Sequence, residues 1–317
     1  MTDQAGTEFV ELEHAPGWLT VWLNRPQSRN ALSDEMVDRL ADVLRPLRDD
    51  RSVRGVTIRG RGGVFCAGGD IKGFQAVFLG SVSEAGQVAA ANRRFGELFE
   101  EINCLPQVVV MLVEGAAIGG GLGLLCAADI VVVTGSAQLA LTETTLGIPP
   151  AQIAPYVAQR IGLHAARRIM LTAARFDGAQ AGRLGLADEV VDSAQALVDA
   201  EQRVRAQVLR CAPGANAATK EILWQVGRLE GDSLRQFAAD RFAACMLLLP
   251  VGAADDAMSQ HERRARLPRA PPVEPEPVAV IRLEVSGHGD RLEVVLCRHD
   301  PQQGMSLIHI SEPTRLC

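Results

Sequence analysis

"AIGGGLGLLCAAD" occupies residues 117–129, and four of the five positions from 119 to 123 are glycine. An apolar run, "QVVVMLVEG" (107–115), leads into it, and a second, "DIVVVTG" (129–135), follows. A glycine inside a helix costs roughly 0.5–1 kcal/mol relative to alanine. Four together mark a place where the main chain itself is needed. The run reads as a strand handing over to a short helix, with backbone amides turned toward something.

Working outward, strands and helices alternate on both sides. Residues 8–14 and "WLTVWLNRP" (18–26) read as two strands joined by a turn at His14–Gly17. In "NALSDEMVDRLADVLRPLRDD" (30–50), Leu32, Met36, Leu40, Val43, Leu44 and Leu47 recur at helical spacing, and Ser33 or Asp34 can cap the start. "VRGVTIRG" (53–60) is a buried strand and "RGGVFCAGGD" (61–70) a glycine-rich loop. A helix over 83–103, a strand at 107–113, the glycine cluster with its short helix, and strands at 130–134 and 138–141 follow. From 150 onward helices dominate, over 150–161, 163–173, 178–184, 193–211, 213–228 and 231–248. This order gives an α/β fold with a helical C-terminal appendage.

The end of the chain differs. "LPRAPPVEPEPVAV" carries five prolines in residues 268–277 and reads as an extended linker. Beyond it, "VAVIRLEV" and "DRLEVVLC" can pair as a hairpin across "SGHG". "MSLIHISEPTRLC" has no usable pattern and resembles translated adapter sequence. The chain divides into 1–200, 201–267 and 268–317, and nothing functional is expected in the last part.

Bulk properties narrow the function. A chain of 317 residues with 47% hydrophobic content can bury a large core. A net charge of −6 disfavours nucleic acid as a partner and a polybasic membrane anchor. Apolar runs fall well short of the about 20 residues a membrane span needs. The acidic, polar start "MTDQAGTEFVELEHAPG" is unlike a signal or transit peptide. Seven scattered cysteines without CxxC spacing fit reduced thiols in a cytoplasmic protein, with no metal cage.

Three segments can carry chemistry. "GGVFCAGGDI" (62–71) is either a tight strand-to-helix turn or a cradle of main-chain donors for an anion or oxyanion. Its Cys66 reads as a small buried residue, and Asp70 as one that caps or orients the loop. Gly119–Gly121 either pack a helix closely on a sheet or place helix N-terminal amides against a substrate oxygen. A dinucleotide fingerprint fails there, because Leu124 stands where the third glycine belongs. "LTETTLGIPP" (141–150) holds Glu143 in a turn. That carboxylate is either a solvated loop group or, over an apolar pocket, a general base with a raised pKa.

Taken together and in order, "LNRPQSRNAL", "FCAGGDI", "GAAIGGGLGLLCAADI", "ETTLGIPP" and "LTAARFDGAQAGRLGLADEVV" resemble the crotonase (enoyl-CoA hydratase/isomerase) superfamily over residues 8–265. The resemblance implies a crotonase-like β-β-α spiral core with a helical C-terminal trimerisation region, assembled as a homotrimer or dimer of trimers. It implies an acyl-CoA thioester as substrate, with coenzyme A entering as part of that substrate and no separate cofactor or metal. The thioester oxygen would be held by two amides that map to Ala67 and Gly120. The CoA moiety would lie along Arg25, Arg29 and Ala31 and along Cys66, Gly68, Gly69, Asp70 and Ile71, with Gly119 beside the reacting group. Arg25 and Arg29 are phosphate contacts in one reading and solvated surface arginines in the other.

Hydratases of the family usually carry two glutamates. Glu143 matches the second; the first maps to Gly123, which has no side chain. A Δ3,Δ2-enoyl-CoA isomerase needs only one proton carrier, so isomerisation stands as the alternative to hydration. A non-catalytic acyl-CoA-binding crotonase-like protein is a third reading, and it has no use for Glu143. "GGGLGLLCAAD", "TETTLGIPPAQIAPYV" and "RCAPGANAATK" are most similar to the isohexenylglutaconyl-CoA hydratase branch, where Gly123 would leave room for a branched acyl chain.

Overall fold

The computed structural model describes residues 9–70, 85–247, 295–300 and 304–309. In chain order these form β1 (Val10–Ala15), β2 (Trp18–Leu23), α1 (Asp34–Leu44), β3 (Gly55–Gly60), α2 (Ala85–Asn103), β4 (Val108–Val113) and β5 (Ala116–Ile118). Then come α3 (Gly120–Cys126), β6 (Ile130–Thr134), β7 (Gln138–Ala140) and a 3-10 turn at Glu143–Leu146. After these follow α4 (Ala154–Leu171), β8 (Arg175–Asp177), α5 (Gly178–Arg183), β9 (Glu189–Val191), α6 (Ala194–Val208), α7 (Pro213–Gln225) and α8 (Gly231–Leu247).

Six strands form one sheet in the order β1-β2-β3-β4-β6-β9, antiparallel at β1–β2 and parallel elsewhere. A smaller sheet has the order β5-β7-β8. The inner strands of the large sheet are buried on both faces, which explains why β4 and β6 read as unbroken apolar runs. Val109, Met111, Val113, Val131 and Val133 enter the main core with α1, α2 and α3. Val110, Leu112 and Val132 point the other way, against Leu197, Ala200, Val204 and Val208 of α6. A polar chain pins α6 to that face. Trp18 Nε1 donates to Thr57 Oγ1 at 2.9 Å, and Thr57 Oγ1 donates to buried Glu201 Oε1 at 2.5 Å.

Helix ends follow local chemistry. Ser33, not Asp34, caps α1 by accepting the Met36 N–H, and Asp177 with Gln180 closes a reciprocal box on α5. The two helices expected over 150–161 and 163–173 are the two segments of α4, which meet at a kink where Gly162 has non-helical backbone at φ 75° and ψ 158°. Strands β5, β8 and β9 were not expected, since three residues are too few to display a period of two.

Contacts divide the chain into Met1–Leu248 and Leu249–Cys317. In the second unit, β10 (Val295–Asp300) and β11 (Gly304–His309) pair antiparallel. The strand "VLCRHD" overlaps the end of the expected "DRLEVVLC", and its partner "GMSLIH" includes residues expected to have no pattern. "VAVIRLEV" and the proline-rich stretch lie outside the described residues, as does the start of the helix expected at 83.

Candidate active site

Two glycine-bearing loops and one turn meet at the end of α3. Gly119 closes β5 and has φ 51° and ψ −117°, a backbone shape that a side chain resists. Its amide donates to Ala140 on β7 at 2.9 Å. Gly120 then opens α3, so its amide has no carbonyl a turn earlier to bond. Among the described residues the Gly120 N–H has no hydrogen-bond partner. Gly121 is needed for packing, because a Cβ there would lie 2.5 Å from the Cys66 carbonyl oxygen.

The second loop is "CAGGD". The Cys66 carbonyl accepts from Ile118, and its amide donates to Ala116, which adds Cys66 to the edge of β5. Burial pushes the Cys66 thiol up to about 12, so it remains a neutral packing group and no nucleophile. The Ala67 amide donates to the Arg29 carbonyl at 2.9 Å and is not available to a ligand. This corrects the expectation for Ala67. Leu32 bonds both flanks of Gly69, its amide donating to the Gly68 carbonyl at 2.8 Å and its carbonyl accepting the Asp70 amide at 2.9 Å. In a parallel bridge that pattern turns the intervening Gly69 N–H away from Leu32. Among the described residues the Gly69 amide has no partner. It faces α3: a Cβ on Gly120 would stand 3.7 Å from the Gly69 nitrogen, and one on Gly68 3.8 Å from the Gly120 nitrogen. The free amides that come together are thus those of Gly69 and Gly120.

Glu143 supplies the third element. Its carboxylate lies over Gly119, where a Cβ would be 2.7 Å from Glu143 Oε1. Oε2 is buried with no hydrogen-bond partner among the described residues. Desolvation raises the Glu143 pKa above the usual carboxylate range, while the amides of Glu143 and Thr142 pull it down by less. No cation pairs with it among the described residues. A half-buried, unpaired carboxyl group with a raised pKa is equipped to accept and return a proton.

Arg25 is a clip. Its guanidinium donates to the Ala31 carbonyl at 3.0 Å and pairs with Asp70 at 3.4 Å, joining the 25–31 loop to "CAGGD". Arg29 has left-handed backbone at φ 53° and an exposed side chain. Ile71 lies outside the described residues. Asn30 was missed by sequence reasoning. It is fully buried at φ 55°. Its Oδ1 accepts the Arg25 amide at 2.8 Å, and its Nδ2 donates to the carbonyls of Arg61 (2.9 Å) and Val64 (2.6 Å). The signal available was an asparagine before a capped helix, since asparagine tolerates the left-handed region and bonds nearby main chain.

Gly123 also departs from expectation. The space beside it is not open: Phe99 and Ile153 fill it, at 2.8 and 3.0 Å from where a Cβ would stand. Room for a branched acyl chain is not what this glycine provides.

A pair of free main-chain donors close to a half-buried carboxylate suits acyl-transfer or enolate-forming chemistry. The family model described as "Enoyl-CoA hydratase/isomerase" matches residues 14–245, and the chain belongs to that family. The solved structure of Pseudomonas aeruginosa AtuE is 49% identical, with TM-score 0.72, over 75% of this chain and 91% of that one. The Bos taurus "Enoyl-CoA hydratase domain-containing protein 2, mitochondrial" is 36% identical over 206 residues, 64% of this chain and 68% of that protein. Human "Methylglutaconyl-CoA hydratase, mitochondrial" is 32% identical over 195 residues, 61% of this chain and 56% of that protein. Among the described residues, no helix is long and apolar enough to cross a membrane.

Proposed function

We propose that this chain adds water across the 2,3 double bond of an enoyl-CoA thioester, using Gly69 and Gly120 as oxyanion donors and Glu143 as its one proton carrier. The observation that carries this is the Glu143 carboxylate lying against Gly119, next to the Gly120 amide, which has no partner among the described residues. Glu143 takes a proton from water as the water oxygen bonds C3. The electron pair of the double bond moves toward the thioester, whose oxygen gains charge under the two amides. Protonated Glu143 then returns the proton to C2, and the carbonyl re-forms. One such donor is worth about 10²–10³ in rate. The exposed Arg29 side chain is the phosphate contact of the CoA moiety, while Arg25 holds the loop beneath it.

The acyl group is a branched one with a second carboxylate, of the isohexenylglutaconyl type. Support comes from the three segments quoted for that branch and from the similarity to a methylglutaconyl-CoA hydratase. Because Gly123 contributes no carboxylate, Δ3,Δ2 isomerisation by Glu143 is the second reading. A panel of CoA thioesters with product masses tests both: hydration adds one water, isomerisation leaves the mass unchanged. No turnover of any 2-enoyl or 3-enoyl thioester defeats the proposal.

A further inference from the structure

Gly123 is hemmed in by a neighbour on another helix. A Cβ on it would stand 2.8 Å from Phe99 Cζ, 3.1 Å from Phe99 Cε2 and 3.0 Å from Ile153 Cγ1. Neither neighbour can step aside easily, since Phe99 and Ile153 are both buried. The Phe99 ring meets Tyr156 edge-on, with centroids 5.8 Å apart and planes at 75°. One turn earlier on α2, Gly96 lets the chain come so close that a Cβ there would lie 2.0 Å from Gln152 Oε1. Gln152 Nε2 in turn donates to Asn92 Oδ1 at 3.0 Å. The segment carrying Ile153 is therefore locked to the helix carrying Phe99. The Gly123 amide bonds the Gly119 carbonyl at 3.0 Å, so the aromatic ring stands one helical turn from the point where Glu143 rests.

We propose that Phe99 is a specificity-determining residue of this site: with Ile153 it fills the volume beside Gly123 and holds the chemistry to a single carboxylate. The proposal rests on Glu143 being the proton carrier. One-carboxylate chemistry is then set by the packing of α2 against α3 and the start of α4, and not by residue 123 alone. A side chain restored at 123 has no place until the ring is cut back. A carboxylate forced against the ring and Ile153 would lie in apolar surroundings that favour its protonated form.

The test is a cycle of wild type, Gly123→Glu, Phe99→Ala and the double variant, read by melting temperature, crotonyl-CoA hydration and rate against pH. Overpacking lowers the melting temperature of Gly123→Glu by roughly 2–10 °C. In the double variant the loss is smaller than the sum of the two single losses. It hydrates crotonyl-CoA at least about tenfold faster than Gly123→Glu, and its rate–pH profile shows a second ionisation absent from the wild type. Gly123→Ala with Phe99→Leu forms a milder cycle for use if the glutamate variants do not fold, with the same non-additivity expected. Additive losses, a Gly123→Glu protein that melts with the wild type, or a double variant no faster than Gly123→Glu overturns the proposal. The wild-type arm separates the two ideas: absence of all turnover defeats the proposed function, while the melting cycle still decides whether Phe99 excludes a side chain at 123.

Discussion

At the scale of residues, the proposed chemistry rests on the amides of Gly69 and Gly120, the backbone of Gly119 and the Glu143 carboxylate. Glu143→Gln keeps the shape of the carboxyl group but removes its basicity, so turnover should fall about 10²–10⁴-fold. A kinetic assay on the unsaturated thioester checks this, and near-normal rates would sink the assignment. The same variant should be more stable than wild type at neutral pH. Burial raises the Glu143 pKa in the folded chain, so between the unfolded and folded values the folded state binds more protons. Stability contributed by this group therefore falls as pH rises through that window. Glutamine removes the buried charge, and melting curves at acid and neutral pH should show the variant's advantage growing with pH. For the same reason the acid limb of the wild-type rate profile should lie above the range of an exposed glutamate. Gly119→Ala tests the close approach directly. The new Cβ would meet Glu143 Oε1 at 2.7 Å on backbone with φ 51°, so activity should be lost and melting temperature lowered. Of these residues, Glu143 and Gly120 were expected from motif order, and the roles proposed for them keep that expectation. Gly69 was not, because which of four adjacent amides is free depends on Leu32 bonding either side of it.

At the scale of elements, the long apolar strands and amphipathic helices were legible because period and length survive in the sequence. β4 and α1 fall within a few residues of their expected bounds. In the second sheet β7 was legible as a short strand, but its partners β5 and β8 were not, although β5 and β7 together position Gly119 and the Glu143 turn. Their existence depends on pairing partners tens of residues away, as with Cys66 against Ala117. Asn30 is the element-level test of how the 66–70 loop is held. Asn30→Ala deletes three hydrogen bonds to main-chain groups, at about 1 kcal/mol each, and leaves buried carbonyls unpaired. A loss of about 2–4 kcal/mol in denaturant unfolding is expected, with kcat lowered because the 25–31 and 66–70 loops separate. Unchanged kcat in a folded variant would show that Asn30 supports stability alone.

At the scale of the whole molecule, the first unit, Met1–Leu248, contains every residue of the candidate site. A chain ended after residue 267 should fold and turn over substrate at the full-length rate, and loss of soluble protein would refute that. Helix α8 has no buried residue, and Phe242 (67%) and Leu247 (86%) stand exposed on it, as Leu223 (60%) does on α7. These exposed apolar side chains support the proposal that copies of the chain pack together here. Light scattering is expected to give the mass of a trimer or of two stacked trimers, and a monomer at micromolar concentration would contradict it. By itself, the sequence determined the alternation of strands and helices, the family, and the positions of Glu143 and the glycine cluster, because these lie in local periodicity and motif order. Only the tertiary structure decided that Ala67 spends its amide on Arg29 while Gly69 keeps its own free. It likewise decided that the space beside Gly123 belongs to Phe99 and Ile153. The physical reason is the same in both cases: whether an amide is free or a glycine stands beside a void depends on atoms delivered by distant segments, and local sequence does not encode that.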